Sequence, residues 1–203
     1  MAATQPAAPV VITWLRHGSV AGPAHVLRGT SDDPLSHAGE LELQAALARL
    51  NGRYSRIASS PRQRCAGFAA RFASASSTEL ELIDELAEMH FGAWEGLSAN
   101  EAAALDPVAY ARFRADPLCV DPPGGESYSH FSARVARVVE QLATGPGPVL
   151  AFTHAGVIRA VVAQALELAP AAAGRIALAP AAWARISYLT GQPPMLLELQ
   201  SHC

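Results

Sequence analysis

Residues 10–18 read VVITWLRHG, an apolar and β-branched run that passes directly into an arginine and a histidine. The run predicts a buried strand over Val10–Leu15. Open α/β sheets bind their ligands beyond the carboxyl ends of the strands. Arg16 and His17 therefore stand where such a sheet would bind a ligand, and they are the first two candidate site residues.

Three further strand-like segments are followed by an ionisable residue in the same way. The segments and the residues that follow them are Arg56–Ser59 with Arg64, Glu79–Ile83 with Glu88, and Val149–Phe152 with His154. If the four strands lie in one parallel sheet, two histidines, two arginines and one glutamate gather at one edge of that sheet.

Helical segments alternate with these strands. Helical spacing, caps and breakers predict helices over 36–50, 62–73, 127–144 and 155–168, two short helices within 98–116, and final strands over 183–189 and 195–199. Alternating β and α elements indicate an α/β fold. We expect a three-layer α/β/α sandwich with a mostly parallel central sheet. It would form one domain over residues 1–203, with residues 97–123 as a small cover insertion.

The composition excludes several classes of protein. The chain has 203 residues, is 50% hydrophobic and carries a net charge of −3. This balance excludes a disordered chain and gives no basic face for nucleic acid or an anionic membrane. All fifteen basic residues are arginine, which rules out a Schiff-base lysine and a Walker A loop. Three widely spaced cysteines and no spanning or signal segment favour the cytoplasm.

The residues at the predicted sheet edge suit phosphoryl transfer. Guanidinium groups match the geometry of phosphate, a neutral imidazole is a nucleophile, and a carboxyl group can protonate a leaving oxygen. No carboxylate or Cys/His cluster indicates a metal. Each residue also has a structural reading, as a satisfied core histidine or a solvated charge. From spacing alone, Arg62 competes with Arg64, and Asp84 and Glu85 compete with Glu88.

Four segments at this edge resemble the motifs of the histidine phosphatase superfamily, the phosphoglycerate-mutase-like group. The segments, in the order of that family, are LRHG (15–18), SSPRQRC (59–65), LAEMHFGAWEG (86–96) and THAGVIRA (153–160). The resemblance covers roughly residues 10–168. It implies a metal-independent phosphatase that forms a phosphohistidine and needs no cofactor.

The resemblance also implies a role for each residue. His17 would attack phosphorus, while Arg16, Arg64 and His154 would hold the phosphate oxygens and stabilise the transition state. Glu88 would protonate the leaving alkoxide and then activate water. Arg64 is chosen because the family pattern is S-x-x-x-R.

The chain departs from the family at several positions. Ser19 and Val20 replace the usual acidic or amide residue and threonine after RHG, and an asparagine common further on is absent. We expect Arg28 to supply a polar contact to the substrate in its place. Ser127 is expected to cap the following helix, with a phosphate contact as the alternative, and His90 stands where many members have aspartate.

One further spacing resembles a phosphatase motif, but its place in the predicted fold excludes it. Cys65 and Arg71 have the C-x5-R spacing of cysteine-dependent phosphatases. Such a loop must follow a strand directly and wrap phosphate with backbone N–H groups. Because Cys65 falls within the predicted helix 62–73, we expect it to be a small buried residue.

The strings at 27–39, 86–96 and 122–135 look most like those of alpha-ribazole phosphatases of cobalamin assembly. We therefore expect a small-molecule phosphate monoester as the partner, with alpha-ribazole 5′-phosphate first. The mainly small and apolar cover favours an uncharged leaving group. The alternatives are a phosphoglycerate mutase-like or broad-specificity sugar-phosphate enzyme and a non-catalytic phospholigand-binding regulator. We expect no nucleic acid or membrane partner, and a homodimer is considered.

Overall fold

One six-stranded sheet organises the computed structural model, which describes residues 8–201. Its strands are β1 (Val10–Arg16), β2 (Arg56–Ser59), β3 (Leu80–Leu82), β4 (Val149–Thr153), β5 (Trp183–Tyr188) and β6 (Met195–Gln200). Their order across the sheet is β3-β2-β4-β1-β5-β6. Parallel pairs join β3 to β2, β2 to β4 and β4 to β1, while β5 pairs antiparallel with β1 and β6 with β5. The carboxyl ends of β1 to β4 therefore share one edge.

Helices cover both faces of this sheet. In residues 8–201 they are α1 (His37–Leu50), α2 (Gln63–Ser76), α3 (Ala99–Leu105), α4 (Pro107–Ala115), α5 (Tyr128–Leu142), α6 (Ala155–Ala165) and α7 (Pro170–Ala173). Alternate side chains of β1 point to opposite faces. Ile12 and Trp14 pack with α5 and α6, while Leu15 packs with α1 and α2. The three-layer α/β/α sandwich with a mostly parallel sheet is confirmed.

The sixth helix is shorter than the sequence indicates. The predicted helix over 155–168 ends at Ala165, because Glu167 has a left-handed backbone with φ 53°. The chain restarts as the short helix α7 with Pro170 at its beginning, where the missing N–H of proline costs nothing. Two 3-10 turns, Asp84–Leu86 and Gly92–Trp94, are also absent from the prediction.

The segment 97–123 contains the two short helices that the sequence predicts. Ser98 begins α3 with a capping box to Glu101, and Asp106 caps α4, which has proline at its first position. Tyr110 of α4 packs edge-on against buried Trp94, with ring centroids 5.3 Å apart. Trp94 is therefore a packing residue, and it anchors this segment to the rest of the chain.

Within the described part of the chain, three histidines outside the predicted sheet edge are exposed, namely His25, His37 and His130. His202 and Cys203 lie outside the described residues. Among residues 8–201, no helix is long and apolar enough to cross a membrane.

Candidate active site

The ends of the neighbouring strands β1 and β4 bring two histidines together. The register pairs Arg16 with Thr153, so His17 and His154 both follow at the same level of the sheet. The His17 N–H donates to Thr153 O at 2.9 Å. The two imidazole centroids lie 5.2 Å apart. The parallel pairing alone thus builds the centre of the site.

His17 is held in a neutral form with a defined tautomer. Its Nδ1 lies 2.7 Å from the carbonyl oxygen of Gly18, which can only accept, so Nδ1 carries the proton. Burial, and secondarily the charge of Arg16, lowers the pKa of His17 to about 3. At neutral pH, Nε2 therefore has a free lone pair and is a candidate nucleophile.

Two glycines allow helix α1 to approach the His17 segment. A Cβ on Gly18 would lie 2.1 Å from the Gly39 oxygen, and one on Gly39 would lie 1.9 Å from the Ser19 oxygen. Only glycine fits at such backbone contacts. Ser19 further donates its N–H and its hydroxyl to the Glu42 carboxylate, at 2.7 and 2.8 Å. The serine that departs from the family pattern thus ties this loop to α1.

Arg16 presents a half-buried cation with an unused buried donor. Its Nη1 donates to the Leu178 carbonyl, while its Nε is buried without a partner among the described residues. Burial lowers the pKa of Arg16, and nearby Glu88 partly opposes that shift. A buried donor without a partner is costly, so this arrangement suits an arriving anion.

Arg64 is fully buried at the start of α2, while Arg62 is half-buried. The Arg64 guanidinium donates to three backbone carbonyls, those of Ser31, Arg28 and Gly29. Burial lowers its pKa, yet an arginine stays protonated. The structure thus fixes Arg64, and the burial difference separates it from the competing arginine.

His154 is buried between polar groups. Its Nδ1 accepts from Arg64 Nε at 3.3 Å, so the proton of the neutral ring is on Nε2, 2.8 Å from Ser60 Oγ. Burial, with the neighbouring cations, keeps the pKa of His154 well below its ordinary value. Both ring nitrogens are already engaged, so a phosphate contact from His154 remains a prediction that requires one of them to change partner.

Cys65 is a buried neutral thiol within α2. Burial raises its pKa to about 12, and its Sγ lies 3.4 Å from the Thr153 carbonyl. Arg71 points away to an exposed ion pair with Glu40. The C-x5-R spacing therefore builds no phosphate loop, as expected.

Glu88 lies beside these groups on the segment after β3. Its Oε2 accepts from the Gly156 N–H at 2.9 Å, and its Oε1 accepts from the Met89 N–H at 3.0 Å. A Cβ on Gly156 would lie 2.1 Å from Oε1, so a larger residue there would displace the Glu88 carboxylate from this position. Neither Asp84 nor Glu85 contacts α6 through a described hydrogen bond. The geometry thus favours Glu88 of the three acidic residues.

Arg134 of α5 fastens the segment that carries Glu88, a contact that sequence reasoning missed. It donates to the backbone carbonyls of Glu85, Ala87 and Glu88, at 2.7 to 3.1 Å. The carboxylate of Glu126 receives the same guanidinium in a bidentate pair. Glu126 and Arg134 both lie in the stretch 122–135, which the sequence analysis singled out. The sequence did not show that Arg134 binds the segment that carries Glu88.

Arg28 and Ser127, the two remaining expected substrate contacts, are engaged with protein groups. Arg28 donates to Asp33 at 2.6 Å and to the Pro23 carbonyl, and its own carbonyl receives Arg64. Ser127 caps α5 by accepting from the His130 N–H at 3.1 Å, so the expected cap is confirmed. Contacts of either side chain with a substrate remain predictions.

A cavity of about 160 Å³ opens next to Glu88. Phe113, Arg114 and Pro117 of the segment 97–123 form part of its wall. Arg159 of α6 also lines it, and sequence reasoning missed this residue, although its helical spacing from Gly156 places the two on one face. Among residues 8–201, no group of three or more His, Cys, Asp or Glu side chains could hold a metal ion.

Comparison with protein families gives one model that covers most of the chain. The model is described as the histidine phosphatase superfamily (branch 1), and it matches residues 12–199. The bifunctional protein Rv2228c of Mycobacterium tuberculosis is 33% identical over 78% of this chain. That match covers 45% of Rv2228c, so the chain spans about half the length of the first curated relatives it matches.

Two further proteins align over more of their own length. Adenosylcobalamin/alpha-ribazole phosphatase of Salmonella typhimurium is 25% identical over 88% of this chain and 91% of its own. The native structure of mycobacterial glucosyl-3-phosphoglycerate phosphatase Rv2419c is 26% identical, with a TM-score of 0.84, over 96% of this chain and all of that one. These similar proteins are described with different substrates.

Proposed function

The chain belongs to the histidine phosphatase superfamily, and from this membership we propose that it is a metal-independent phosphomonoesterase. The observation that carries the proposal is the state of His17. A neutral imidazole, with Nδ1–H bound to Gly18 and Nε2 unprotonated, lies beside half-buried Arg16 and buried Arg64. This combination supplies a nucleophile together with charge that stabilises a phosphoryl transition state.

In the first step, His17 Nε2 attacks phosphorus and the bond from phosphorus to the ester oxygen breaks. Arg16 and Arg64 donate to the equatorial oxygens, where negative charge develops. The buried Arg16 Nε, which has no partner among residues 8–201, supports this role. His154 fixes the Arg64 guanidinium through Nδ1, and we retain it as a phosphate ligand once its partners exchange.

Glu88 donates a proton in the first step and accepts one in the second. As a carboxylic acid it donates its proton to the leaving oxygen, which departs as an alcohol. As a carboxylate it then takes a proton from the water that attacks the phosphohistidine, and the nitrogen–phosphorus bond breaks to release phosphate. The bonds from Gly156 and Met89 hold the carboxyl group in place for these transfers.

For the substrate, alpha-ribazole 5′-phosphate is the first candidate, because the strings at 27–39, 86–96 and 122–135 favour it. The 25% identity with the Salmonella alpha-ribazole phosphatase supports this choice. A phosphoglycerate ester is the second candidate, favoured by the arginines Arg114 and Arg159 in the cavity. We propose that the segment 97–123 covers this cavity and forms one domain with the rest of the chain.

Turnover of p-nitrophenyl phosphate in the presence of EDTA tests the proposed activity. We expect phosphate release that survives chelation, because arginines and histidines supply the charge. Restoration of a lost activity by Mg²⁺ would indicate another phosphatase chemistry. No release from this ester or from a panel of phosphorylated metabolites would favour a phospholigand-binding regulator.

A further inference from the structure

The cavity beside Glu88 combines an apolar wall with two cations. Most of its wall is aliphatic or aromatic, and the aromatic residues are Phe91, Phe113, Tyr128 and Phe131. The charged residues in the wall are Glu88, Arg114 and Arg159. A ligand pocket typically has an apolar wall and a few placed polar groups that set specificity.

Arg159 is the more deeply placed cation. It lies one helical turn after Gly156, the residue whose N–H holds Glu88. Its Nε donates to the Ile176 carbonyl at 2.9 Å, which leaves both terminal nitrogens of the guanidinium without a described hydrogen bond. Among residues 8–201, no carboxylate forms a salt bridge with it.

Three surrounding effects act on the pKa of Arg159. Burial lowers the pKa of Arg159, the charge of Glu88 opposes this, and Arg114 lowers the pKa further. The positive charge of Arg159 also lowers the pKa of Arg16. Arginine stays charged, so the half-buried cation gains from an anion.

Among residues 8–201, neither arginine forms a salt bridge with a nearby acidic group, although the charge of Glu88 acts on Arg159 from a distance. Both oxygens of Glu88 accept backbone N–H groups, at Met89 and Gly156. Asp116, close to Arg114 in sequence, accepts from the Leu118 N–H at 3.0 Å. Arg114 itself is exposed at the end of α4. The cavity therefore has a cationic side that extends from the phosphate site to the surface.

We propose that Arg159, assisted by Arg114, binds an anionic group on the leaving alcohol of the substrate, a carboxylate or a second phosphate. The aromatic wall packs against the apolar part of the same alcohol. This inference rests on the proposed phosphatase function. It favours the second substrate candidate, a phosphoglycerate ester, over alpha-ribazole 5′-phosphate, whose leaving alcohol is uncharged. The uncharged leaving group was expected from the segment 97–123 alone, whereas Arg159 comes from α6.

Three aryl esters of one shape measure the effect on turnover: 4-carboxyphenyl phosphate, 1,4-phenylene bisphosphate and 4-carbamoylphenyl phosphate. The wild type should prefer an anionic ester over the neutral one in kcat/KM. Arg159→Gln should lower kcat/KM for the preferred ester about 10- to 100-fold, and for the neutral ester less than about threefold. A comparison of kcat/KM for the carboxylate ester and the bisphosphate ester shows which of the two anions Arg159 binds.

Exposed residues supply the matched variants. Arg114→Gln should act in the same direction with a smaller loss, and its exposure removes the concern of misfolding. Arg137→Gln, an exposed arginine of α5 away from the cavity wall, should leave all three rates unchanged. Equal losses on all three esters with Arg159→Gln would assign it a structural role and overturn the proposal.

A binding measurement separates this inference from the proposed activity. Calorimetry with 4-carboxybenzylphosphonate and its carboxamide analogue requires no turnover. Tighter binding of the carboxylate, lost in Arg159→Gln, supports the subsite even if no ester is hydrolysed, in which case the proposed activity alone fails. If phosphate is released but neither anionic ester nor the carboxylate phosphonate is preferred, this inference alone is wrong.

Discussion

The two ends of the candidate site are built differently. The phosphate end consists of buried His17, Arg64 and His154 with half-buried Arg16, at or next to the carboxyl ends of strands. Backbone carbonyls and neighbouring side chains hold them in place. The leaving-group end is a cavity between α4, α5, α6 and α7, with an exposed arginine at its rim. The first end is fixed before a ligand arrives, whereas the second is shaped by helix faces.

This difference predicts two kinds of mutational effect. A change at the phosphate end removes interactions with the group that every substrate shares, so it should lower all rates by a large factor. A change at the leaving-group end should produce smaller losses that depend on the substrate. Glu88 lies between the two ends and should show both features.

The largest effect is expected for His17→Ala. Loss of the nucleophile should lower kcat on the order of 10³- to 10⁶-fold for every ester, because the other imidazole at the site, His154, has both ring nitrogens engaged. Steady-state kinetics with p-nitrophenyl phosphate measure it. His37→Ala, on the exposed start of α1, is the control and should keep full activity.

The next effect distinguishes leaving groups. Glu88→Gln should slow alkyl phosphates on the order of 10²- to 10³-fold, but activated aryl phosphates less than about tenfold, since only poor leaving groups need the proton. Asp84→Asn and Glu85→Gln should lack this pattern. Equal losses across leaving groups would remove Glu88 from the acid role.

A pair of arginine variants tests the phosphate end itself. Arg64→Lys should lower kcat/KM on the order of 10²-fold, because lysine cannot replace a guanidinium that bonds three carbonyls and His154. Arg62→Lys should cost less than about threefold. Similar losses in both variants, with both folded by circular dichroism, would contradict the assignment.

The sequence alone was sufficient to predict that much of the proposed phosphate end lies at one edge of the sheet. Continuous apolar runs predict buried strands, and the residue that follows each run lies at the shared edge of a parallel sheet. The parallel pairing of β1 with β4 then brings His17 to His154. Arg64 and Glu88 follow their strands at a greater distance, so spacing left competitors that only burial and contacts distinguish.

Most residues of the leaving-group end could not be predicted from the sequence. Arg159 and Phe113 come from helices far apart in the chain, and they meet only when those helices pack. Arg28 shows the converse problem. Its position in the sequence suggests a ligand contact. In the structure its Nε donates to the Asp33 carboxylate at 2.6 Å, and its carbonyl accepts from Arg64. Side-chain pairing of this kind leaves no periodic signal in the sequence.

A separate prediction concerns stability against pH. The unfolded chain protonates histidine near its ordinary pKa of 6.5, whereas folded His17 protonates near 3. The stabilisation is complete above about pH 6.5 and is lost as the pH falls towards 3, by up to about 1.4 kcal/mol per pH unit for one group. His154 acts in the same direction. Denaturant unfolding of His17→Asn should show a shallower pH slope than His37→Ala.

Rapid-quench trapping of the phosphorylated enzyme tests the central claim most directly. After brief mixing of the wild type with a ³²P-labelled ester, protein-bound phosphate should be acid-labile and base-stable, and peptide mapping should place it on His17. The His17→Ala variant should carry none. Phosphate on another residue, or steady turnover by the variant with no trapped intermediate in the wild type, would contradict the proposed role of His17.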